Sequence, residues 1–292
     1  MTEELATPIT RPQPLPAATG KPAASSASLS ERARKRRFRE RSLVLALQIA
    51  IVILLLAGMH ALNATAGNLV MPRPSDVLDK SIKMWTDGTM LKALGESLTV
   101  LGLGFLLSAI TGILAGIVLG GFRFVGRVFD PFVNAMNSTP GAAFIPLIIV
   151  WFGLYSEAKI VVVWNAAVFP ILINTAAGIS NANKDLVEMG RAFGANRLTL
   201  FWRVMMPDAL PSILSGLRIG VAISTVGTVI AELTMAQSGL GGLLANAGNR
   251  FQMDRYFAVV IVLMALGTLI TALLRYAESR IARWRVSQMD NR

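Results

Sequence analysis

The chain alternates between long stretches without a charged residue and short segments in which charges cluster. A helix that crosses a bilayer needs roughly 20 consecutive apolar residues, each adding about 1.5 Å. A stretch at about 209–235 is interrupted by Arg218 and Glu232 alone. Five others carry no Asp, Glu, Lys or Arg at all: 43–62, 97–122, 131–156, 160–183 and 256–274. The pattern predicts an all-α membrane protein with six transmembrane helices.

The remaining segments divide the chain further. Residues 1–42 are rich in Pro, Ala, Ser and Thr and end in a basic run. This composition is typical of disordered segments, so we expect a disordered basic tail before the first transmembrane helix at 43–62. We expect an outer segment at 63–90, a core membrane domain at 91–281 that contains a cytoplasmic loop at 181–211, and a second tail at 282–292.

Lys and Arg predict the orientation, because basic residues favour the cytoplasmic side of a membrane. With the N-terminus inside, twenty of the 28 basic residues fall in cytoplasmic segments and seven in outer segments. Both termini are therefore predicted to be cytoplasmic. The basic residues behind the net charge of +11 lie at the ends of the apolar stretches. We therefore attribute the charge to the membrane topology and expect no nucleic-acid partner.

The composition excludes several kinds of chemistry. The chain has no cysteine, which rules out disulfides, thiolate metal sites and cysteine nucleophiles. Its single histidine, His60, cannot build a histidine metal site alone. Gly20-Lys21 is followed by Pro rather than Ser or Thr, so it is not a phosphate-binding loop. We expect that the chain is not an enzyme and binds no metal, cofactor or ATP itself.

Small residues recur at every fourth position in the second and fifth predicted spans. Small side chains let helix backbones approach closely in lipid, so both stripes predict a compact bundle. The stripes are Gly104, Ser108, Gly112, Gly116 and Gly120 in one helix, and Ser212, Gly216, Gly220, Ser224 and Thr228 in the other.

The loop at 181–211 contains two short helical patterns. Asn183 is suited to cap the first helix, and Gly194 to end it. Leu198, Phe201, Trp202 and Met205 follow at i, i+3, i+4 and i+7, which predicts one apolar stripe. Pro207 and Pro211 predict a turn into the next span.

The spacing of this loop resembles the signature of binding-protein-dependent ABC importer permeases. That signature reads Glu-Ala-Ala, three residues, Gly, nine residues, then Ile-x-Leu-Pro. Glu188, Gly194 and Pro207 match it with both spacings kept. The other positions carry substitutions: Met189, Gly190, Val204 and Met206.

The resemblance covers roughly residues 70–280 and is closest to permeases of the nitrate, sulfonate and taurine type. The matching segments are Thr139-Pro140, Pro146-Leu147, 149–153, Pro170, Asn174-Thr175, Gly178, 207–219, Ala231-Glu232 and 239–241. It implies the type I importer fold in a bacterial plasma membrane. The implied partners are an ABC ATPase dimer, which holds ATP and Mg²⁺, an external solute-binding protein and a second permease copy in a homodimer.

The resemblance also assigns candidate residues. The loop would dock into the ATPase as a coupling helix through Glu188, Gly190, Ala192, Gly194, Leu198, Phe201, Trp202 and Pro207. Glu188 would pair with Arg191 or Arg197 or accept an amide hydrogen bond, and a solvated surface charge is the alternative. Polar residues of the third to fifth spans would line the translocation path: Asn137, Ser138, Thr139, Asn165, Asn174, Thr225 and Glu232. For Glu232, binding a helix end is an equal alternative.

The implied function is import of a small solute by alternating access. The subfamily suggests an anion, such as a sulfonate, nitrate or organic acid, while pyrimidine-like compounds stay open. The alternative function is a secondary transporter or channel that works without an ATPase. Such a protein is expected to show paired repeats with broken helices, and the sequence shows no clear repeat.

Overall fold

The computed structural model describes residues 26–67, 70–235 and 238–289, and within these ranges every regular element is helical. The α-helices are α1 Ser26–Ala66, α2 Pro74–Thr86, α3 Thr89–Gly121, α4 Arg123–Ser138, α5 Ile145–Phe152, α6 Ser156–Ser180, α7 Lys184–Ala192, α8 Arg197–Leu200, α9 Met206–Met235, α10 Gly239–Asn249 and α11 Met253–Met289. A 3₁₀-helix covers Gly141–Phe144, and a π-helix covers Phe201–Met205.

Five helical segments of the described chain are long and apolar enough to cross a membrane, and α4 with α5 makes a sixth if that bent pair is one span. The prediction of an all-α membrane protein is confirmed. The straight segments are Ser42–Thr65, Thr89–Gly121, Ser156–Ser180, Arg197–Met235 and Met253–Tyr276.

The predicted span at 131–156 corresponds to the bent pair and not to a single helix. α4 starts at Arg123, and the chain bends by 89° between α4 and the segment Gly141–Phe152. Thr139 is extended, with φ −79° and ψ 128°, because a residue before proline avoids the α region. A run of uncharged residues locates membrane-embedded chain, but it does not show where that chain breaks.

The described part of the predicted tail at 1–42 is helical, since α1 begins at Ser26. The described chain divides after Gly58 into two compact units. Ala, Arg and Lys are good helix formers, so the basic run can extend the apolar helix that follows it. Residues 1–25 lie outside the described residues. At the other end, α11 extends through the predicted second tail to Met289.

The core of the larger unit is the packing of α3 and α9 against α6. A Cβ added at Gly116 of α3 would lie 2.6 Å from the Thr175 Cβ and 2.8 Å from the Leu172 carbonyl oxygen of α6. Gly112 and Gly120, one turn away on either side, and Gly104, about three turns away, make close approaches of 2.6 to 3.0 Å on the same face. The stripe of small residues on α3 is therefore the contact surface for α6.

The stripe on α9 faces the same central helix. A Cβ at Gly216 would lie 2.8 Å from the Asn174 Cβ, and one at Gly220 would lie 2.6 Å from the Ile171 Cδ1. α6 contributes Gly178 to the same contact, and a Cβ at this position would be 2.7 Å from the Ser212 Cβ of α9. Both predicted stripes thus pack on α6, which confirms the prediction of close helix packing.

A second apolar cluster joins the segments that the sequence predicts to be at the outer side. Residues of α2, α3, α10 and α11 pack together there, and they include Met84, Met90, Leu240 and Val259. The helices α2 and α10 were not predicted, because each is too short to stand out as a span.

Gly116→Leu should disrupt the contact between α3 and α6. The added side chain meets a backbone carbonyl, which cannot rotate away, so we expect a loss of about 1–3 kcal/mol in unfolding free energy. Thermal unfolding of the purified permease in detergent measures this loss. Gly102→Leu is the matched control, because a Cβ at Gly102 of the same helix has nothing within 4 Å. Equal melting temperatures for the two variants would contradict this packing.

Candidate functional site

The loop between α6 and α9 is a compact helical hairpin. The Asn183 side chain caps α7 by accepting hydrogen bonds from the backbone N–H groups of Asp185 and Leu186. The Asn183 N–H donates to Asp208 Oδ2 at 2.9 Å, which ties the start of the loop to the first turn of α9. Asn196 caps α8 in the same way, by accepting from the Thr199 N–H. Both helices of the hairpin therefore begin at a side-chain cap.

Gly194 forms the bend between α7 and α8. Its φ is +77°, and the Ala195 N–H donates to the Gly190 carbonyl while the Gly194 N–H donates to the Arg191 carbonyl. These two bonds are the helix-ending pattern in which glycine is favoured, since other side chains are strained at positive φ. A Cβ at Gly194 would have nothing within 4 Å, so the requirement for glycine is conformational and not steric.

Gly190 has a steric role instead. A Cβ at this position would lie 2.6 Å from Leu200 Cδ2, and Leu200 is buried. The substitution of glycine for the alanine of the family signature therefore lets α7 lie directly on the helix that follows.

The predicted apolar stripe of the loop divides into two faces. Phe201 and Met205 pack against the buried residues Ile179, Ala209 and Ile213 of the bundle. Leu198 and Trp202 are exposed, although the Phe201 and Trp202 rings meet edge to face at 5.4 Å. The prediction of a single apolar stripe is wrong. The π-helix at Phe201–Met205 changes the angle between successive side chains around the helix axis, so the four residues do not share one face.

Exposed apolar side chains nevertheless recur along both helices of the hairpin. We name this set the apolar loop surface: Leu186, Met189, Phe193, Leu198 and Trp202. Phe193 is 85% exposed and Trp202 is 58% exposed, which is costly for large side chains in water. These residues have the character of a contact surface for another protein or for lipid.

The remaining loop candidates are placed as follows. Glu188 is exposed, and its carboxylate contacts neither Arg191 nor Arg197 nor any amide within the described chain, as a solvated surface charge would. Ala192 is exposed at the end of α7. Pro207 lies near the start of α9, and the predicted change of chain direction does not occur there. The π-helix leads directly into α9. A proline is tolerated near the start of a helix because it has no N–H that would need a partner.

The predicted path residues do not gather at one point. Asn137, Ser138 and Thr139 are exposed at the end of α4, beside the 89° bend. Asn165, Asn174 and Thr225 are half-buried. The Asn174 Nδ2 donates to the Pro170 carbonyl and the Thr225 hydroxyl to the Val221 carbonyl, so both side chains bind their own helices.

Glu232 is separate from these residues and is 1% exposed. Its carboxylate accepts a hydrogen bond from the Ser97 hydroxyl, with oxygen–oxygen distances of 2.8 and 2.9 Å, and from the Gly241 N–H at 2.8 Å. The Leu240 N–H donates to Ser97 Oγ at 2.8 Å. Glu232 therefore binds the N-terminal end of α10, where unpaired N–H groups favour a negative charge. Of its two predicted roles, these contacts favour the structural one.

Two further charged residues complete this cluster. Glu96 accepts from the Gly239 N–H at 2.8 Å, and Lys159, which is 2% exposed, donates to Ser238 Oγ at 2.6 Å. We call this group the Glu232 cluster, comprising Glu96, Ser97, Lys159, Glu232 and 238–241. It joins α3, α6, α9 and α10 through polar contacts, of which those of Ser97 and Glu232 are buried and those of Glu96 and Lys159 are partly buried.

Glycine is required at the start of α10. A Cβ at Gly239, whose φ is +80°, would overlap the Glu232 carboxylate, and one at Gly241 would lie 2.6 Å from the Glu232 Cβ. The residues of the cluster other than Glu232 were not predicted. The run Gly239-Leu240-Gly241 was visible in the sequence, but nothing there pairs it with Ser97, which is 143 residues from Leu240.

A cavity of about 650 Å³ opens between α4 and the ends of α3 and α6. Arg123 and Arg127 project from one face of α4 into its lining, together with Asp130, Asn134 and Ser180. Neither arginine forms an ion pair with a residue that the structure describes. The Arg127 Nε donates to the Arg123 carbonyl, and with Asp130 in the same lining the cavity carries a net positive charge at the end of the bundle that is predicted to face the cytoplasm. No group of metal-ligating residues occurs in the described ranges.

A family match and two related proteins all describe membrane components of transport systems. The family described as "Binding-protein-dependent transport system inner membrane component" matches residues 108–283. The taurine transport system permease protein TauC of Escherichia coli (strain K12) is 31% identical over 221 residues, which are 74% of this chain and 80% of TauC. The putative aliphatic sulfonates transport permease protein SsuC of Bacillus subtilis (strain 168) is 31% identical over 233 residues, 80% of this chain and 83% of SsuC.

The fold also matches a solved structure. A chain of the MetNI methionine ABC transporter in an inward-facing conformation superposes with a TM-score of 0.56 at 21% identity. The match covers 66% of this chain and 94% of that chain. At this identity the likeness shows that the fold is shared.

Glu232→Ala should destabilise the bundle. It leaves the Ser97 hydroxyl and the Gly241 N–H without an acceptor, and each buried group left unpaired costs about 1–3 kcal/mol. Glu232→Gln should lie between the wild type and the alanine variant, because its carbonyl oxygen can still accept. Thermal unfolding of the purified permease is the measurement, with Glu157→Ala as the control because Glu157 is exposed. If Glu232→Ala melts no lower than Glu157→Ala, the Glu232 cluster does not stabilise the fold.

Proposed function

This chain belongs to the family of binding-protein-dependent transport system inner membrane components, and on that premise we propose which surface meets the ATPase and which solute is imported. It is the multi-pass inner-membrane permease of an ABC importer. The ATPase activity belongs to a separate subunit, and an external binding protein delivers the solute. This membership favours an ATP-driven importer over a secondary transporter or channel.

The apolar loop surface is the proposed docking site for the ATPase. The observation that carries this proposal is the exposure of Phe193, Leu198 and Trp202 on a hairpin whose other face is packed into the bundle. Aromatic side chains that fill a pocket on a partner often dominate the energy of an interface. Glu188 and Ala192 lie on α7 of the same hairpin and would be contact residues at its edge.

The hairpin is connected to the bundle in a way that can transmit force. Phe201 is packed against α6 and α9, and Asp208 of α9 holds the start of α7. The helical segment Arg197–Met235 then runs from the docking surface through the membrane to the Glu232 cluster. At about 1.5 Å per residue its length approaches 60 Å. A displacement of the hairpin by the ATPase would therefore move the outer end of the bundle as well.

The proposed solute is a small organic sulfonate such as taurine or an alkanesulfonate. TauC and SsuC, which share 31% identity with this chain, carry these solutes in their names. The cavity with Arg123 and Arg127 agrees with an anion, because a guanidinium group binds a sulfonate through paired N–H donors. These arginines would attract the anion towards the cytoplasmic exit.

Two copies of the chain are proposed to enclose the translocation path. Asn137, Ser138 and Thr139 are exposed on a single chain beside the bend between α4 and α5, so a path along them needs a second wall. A second copy related by two-fold symmetry, the commonest arrangement in oligomers, supplies that wall.

Trp202→Ala should weaken ATPase binding without unfolding the permease. Truncation of an aromatic residue at the centre of an interface costs about 2 kcal/mol, or roughly thirty-fold in Kd. Biolayer interferometry between the permease in nanodiscs and its purified ATPase gives this constant. Trp151→Ala is the control, because Trp151 is equally exposed but lies in α5. Unchanged ATPase affinity in Trp202→Ala would exclude this surface as the docking site.

Arg127→Gln should slow uptake of taurine several-fold in proteoliposomes that contain the permease, the ATPase and the binding protein. The variant removes one positive charge from the cavity, while Arg275→Gln removes one from the end of the last span as a control. Failure of the wild type to take up any sulfonate would show that the solute class is wrong. Normal uptake by Arg127→Gln would show that the anion does not pass this cavity.

A further inference from the structure

The helix α2 has one face in the core and another apolar face with no partner in the described chain. Val77 and Met84 are buried in the cluster that also holds Met90 and Leu240. This contact fixes the rotation of α2 about its axis. The helix is therefore a rigid part of the bundle, although it is too short to cross a membrane.

Three large apolar side chains lie on the exposed part of α2, and we name them the α2 stripe: Leu78, Ile82 and Trp85. They are 62%, 53% and 44% exposed. Their spacing of i, i+4 and i+7 places them on one face of the helix. Asp79 and Lys83 lie on the remaining, polar side, so the exposure is confined to one strip.

The first end of α2 is attached to the outer end of the first span. Asn63 lies in the last turns of the span Ser42–Thr65, and its Nδ2 donates to the Met71 carbonyl at 2.6 Å. The Arg73 Nε donates to Asn63 Oδ1 at 3.3 Å. Arg73 immediately precedes α2, so the helix starts within hydrogen-bonding distance of a membrane-spanning segment.

The second end of α2 is attached to the next span. Asp87 and Gly88 form the two-residue link to Thr89, where the span Thr89–Gly121 begins. The Thr89 hydroxyl, together with the Thr89 N–H that donates to Asp87 Oδ1 at 2.8 Å, lowers the pKa of the Asp87 carboxyl. A helix of 13 residues, about 20 Å long, is therefore held between the outer ends of two spans.

We propose that α2 lies along the outer surface of the membrane and that the α2 stripe inserts into the interfacial region of the outer leaflet. An amphipathic helix whose two ends are attached to neighbouring spans is held close to the bilayer surface. Its apolar side chains lose contact with water when they enter the boundary between headgroups and acyl chains. Trp85 suits this position, because tryptophan is enriched at membrane interfaces.

The charged residues of α2 fit the same arrangement. Lys80 and Lys83 lie on the polar side of the helix, and long basic side chains can reach the lipid phosphates while the apolar face is inserted.

The external binding protein is the competing occupant of the stripe. The attachment of both helix ends to spans favours lipid, since it holds the stripe at the membrane surface whether or not a binding protein is present.

The test uses a nitroxide spin label on the complete transporter in nanodiscs. Because the chain has no cysteine, Ile82→Cys and Lys83→Cys are each labelled at a single site, provided that cysteine-free ATPase and binding protein are used. We expect the label at position 82 to collide with dissolved oxygen several-fold more, relative to a water-soluble nickel chelate, than the label at position 83. Oxygen is enriched in lipid and the chelate is excluded from it, so the ratio reports insertion.

Three outcomes decide the proposal, with the binding protein absent or added. A high oxygen ratio at position 82 that the binding protein does not change supports insertion in lipid. Free access of the nickel chelate to position 82, lost when the binding protein is added, would overturn the proposal and assign the stripe to the binding protein. Protection from both reagents in its absence would also overturn it, because a protein chain would then cover the stripe. None of these outcomes depends on the solute.

Discussion

The structure depends on the close approach of two helices to α6. Glycines at 104, 112, 116 and 120 on α3 and at 216 and 220 on α9 leave room for the side chains and carbonyls of α6. In lipid, apolar side chains gain little by leaving the acyl chains, so contact area between backbones replaces the hydrophobic effect as the stabilising term. This makes α6 the fixed centre against which α3 and α9 are positioned. Every functional element described above is attached to one of these three helices.

The two ends of α9 show how such a bundle can couple chemistry on one side to a change on the other. Its cytoplasmic end continues from a hairpin whose inner face is packed and whose outer face is exposed. Its other end carries Glu232, which binds the N-terminus of α10 and Ser97 of α3. A buried carboxylate needs all of its hydrogen bonds, so this end cannot shift by a small amount without losing them. Movement of α9 is therefore expected to take α10 with it or to break the cluster outright.

Much of the fold could be predicted, because charge is expensive in a bilayer and its absence marks the spans. The spacing of glycines predicted close packing, and the spacing of Glu188, Gly194 and Pro207 predicted the loop. The break at Thr139-Pro140 was missed, because proline is tolerated inside membrane helices and its presence does not decide between a kink and a full break. A helix end was one of the two predicted partners of Glu232, but Ser97 was missed for another reason. Ser97 is 135 residues from Glu232 and is brought to it by tertiary packing alone, which no local pattern in the chain reports.

Apolar periodicity itself has a limit that two segments of this chain make clear. In the loop, Phe201 is packed in the bundle while Leu198 and Trp202 of the same predicted stripe are exposed. In α2, Val77 and Met84 are buried on one face, while Leu78, Ile82 and Trp85 share another face at helical spacing and are exposed. The pattern reports that a side chain avoids water, but it does not report whether the covering surface is the same chain, a partner or lipid. For the exposed side chains, the contacts within one chain exclude the same chain as the covering surface. The elements to which each segment is attached then distinguish a partner from lipid. The hairpin at 181–211 extends from the cytoplasmic ends of α6 and α9, where a soluble partner can reach it, whereas both ends of α2 are attached to membrane spans.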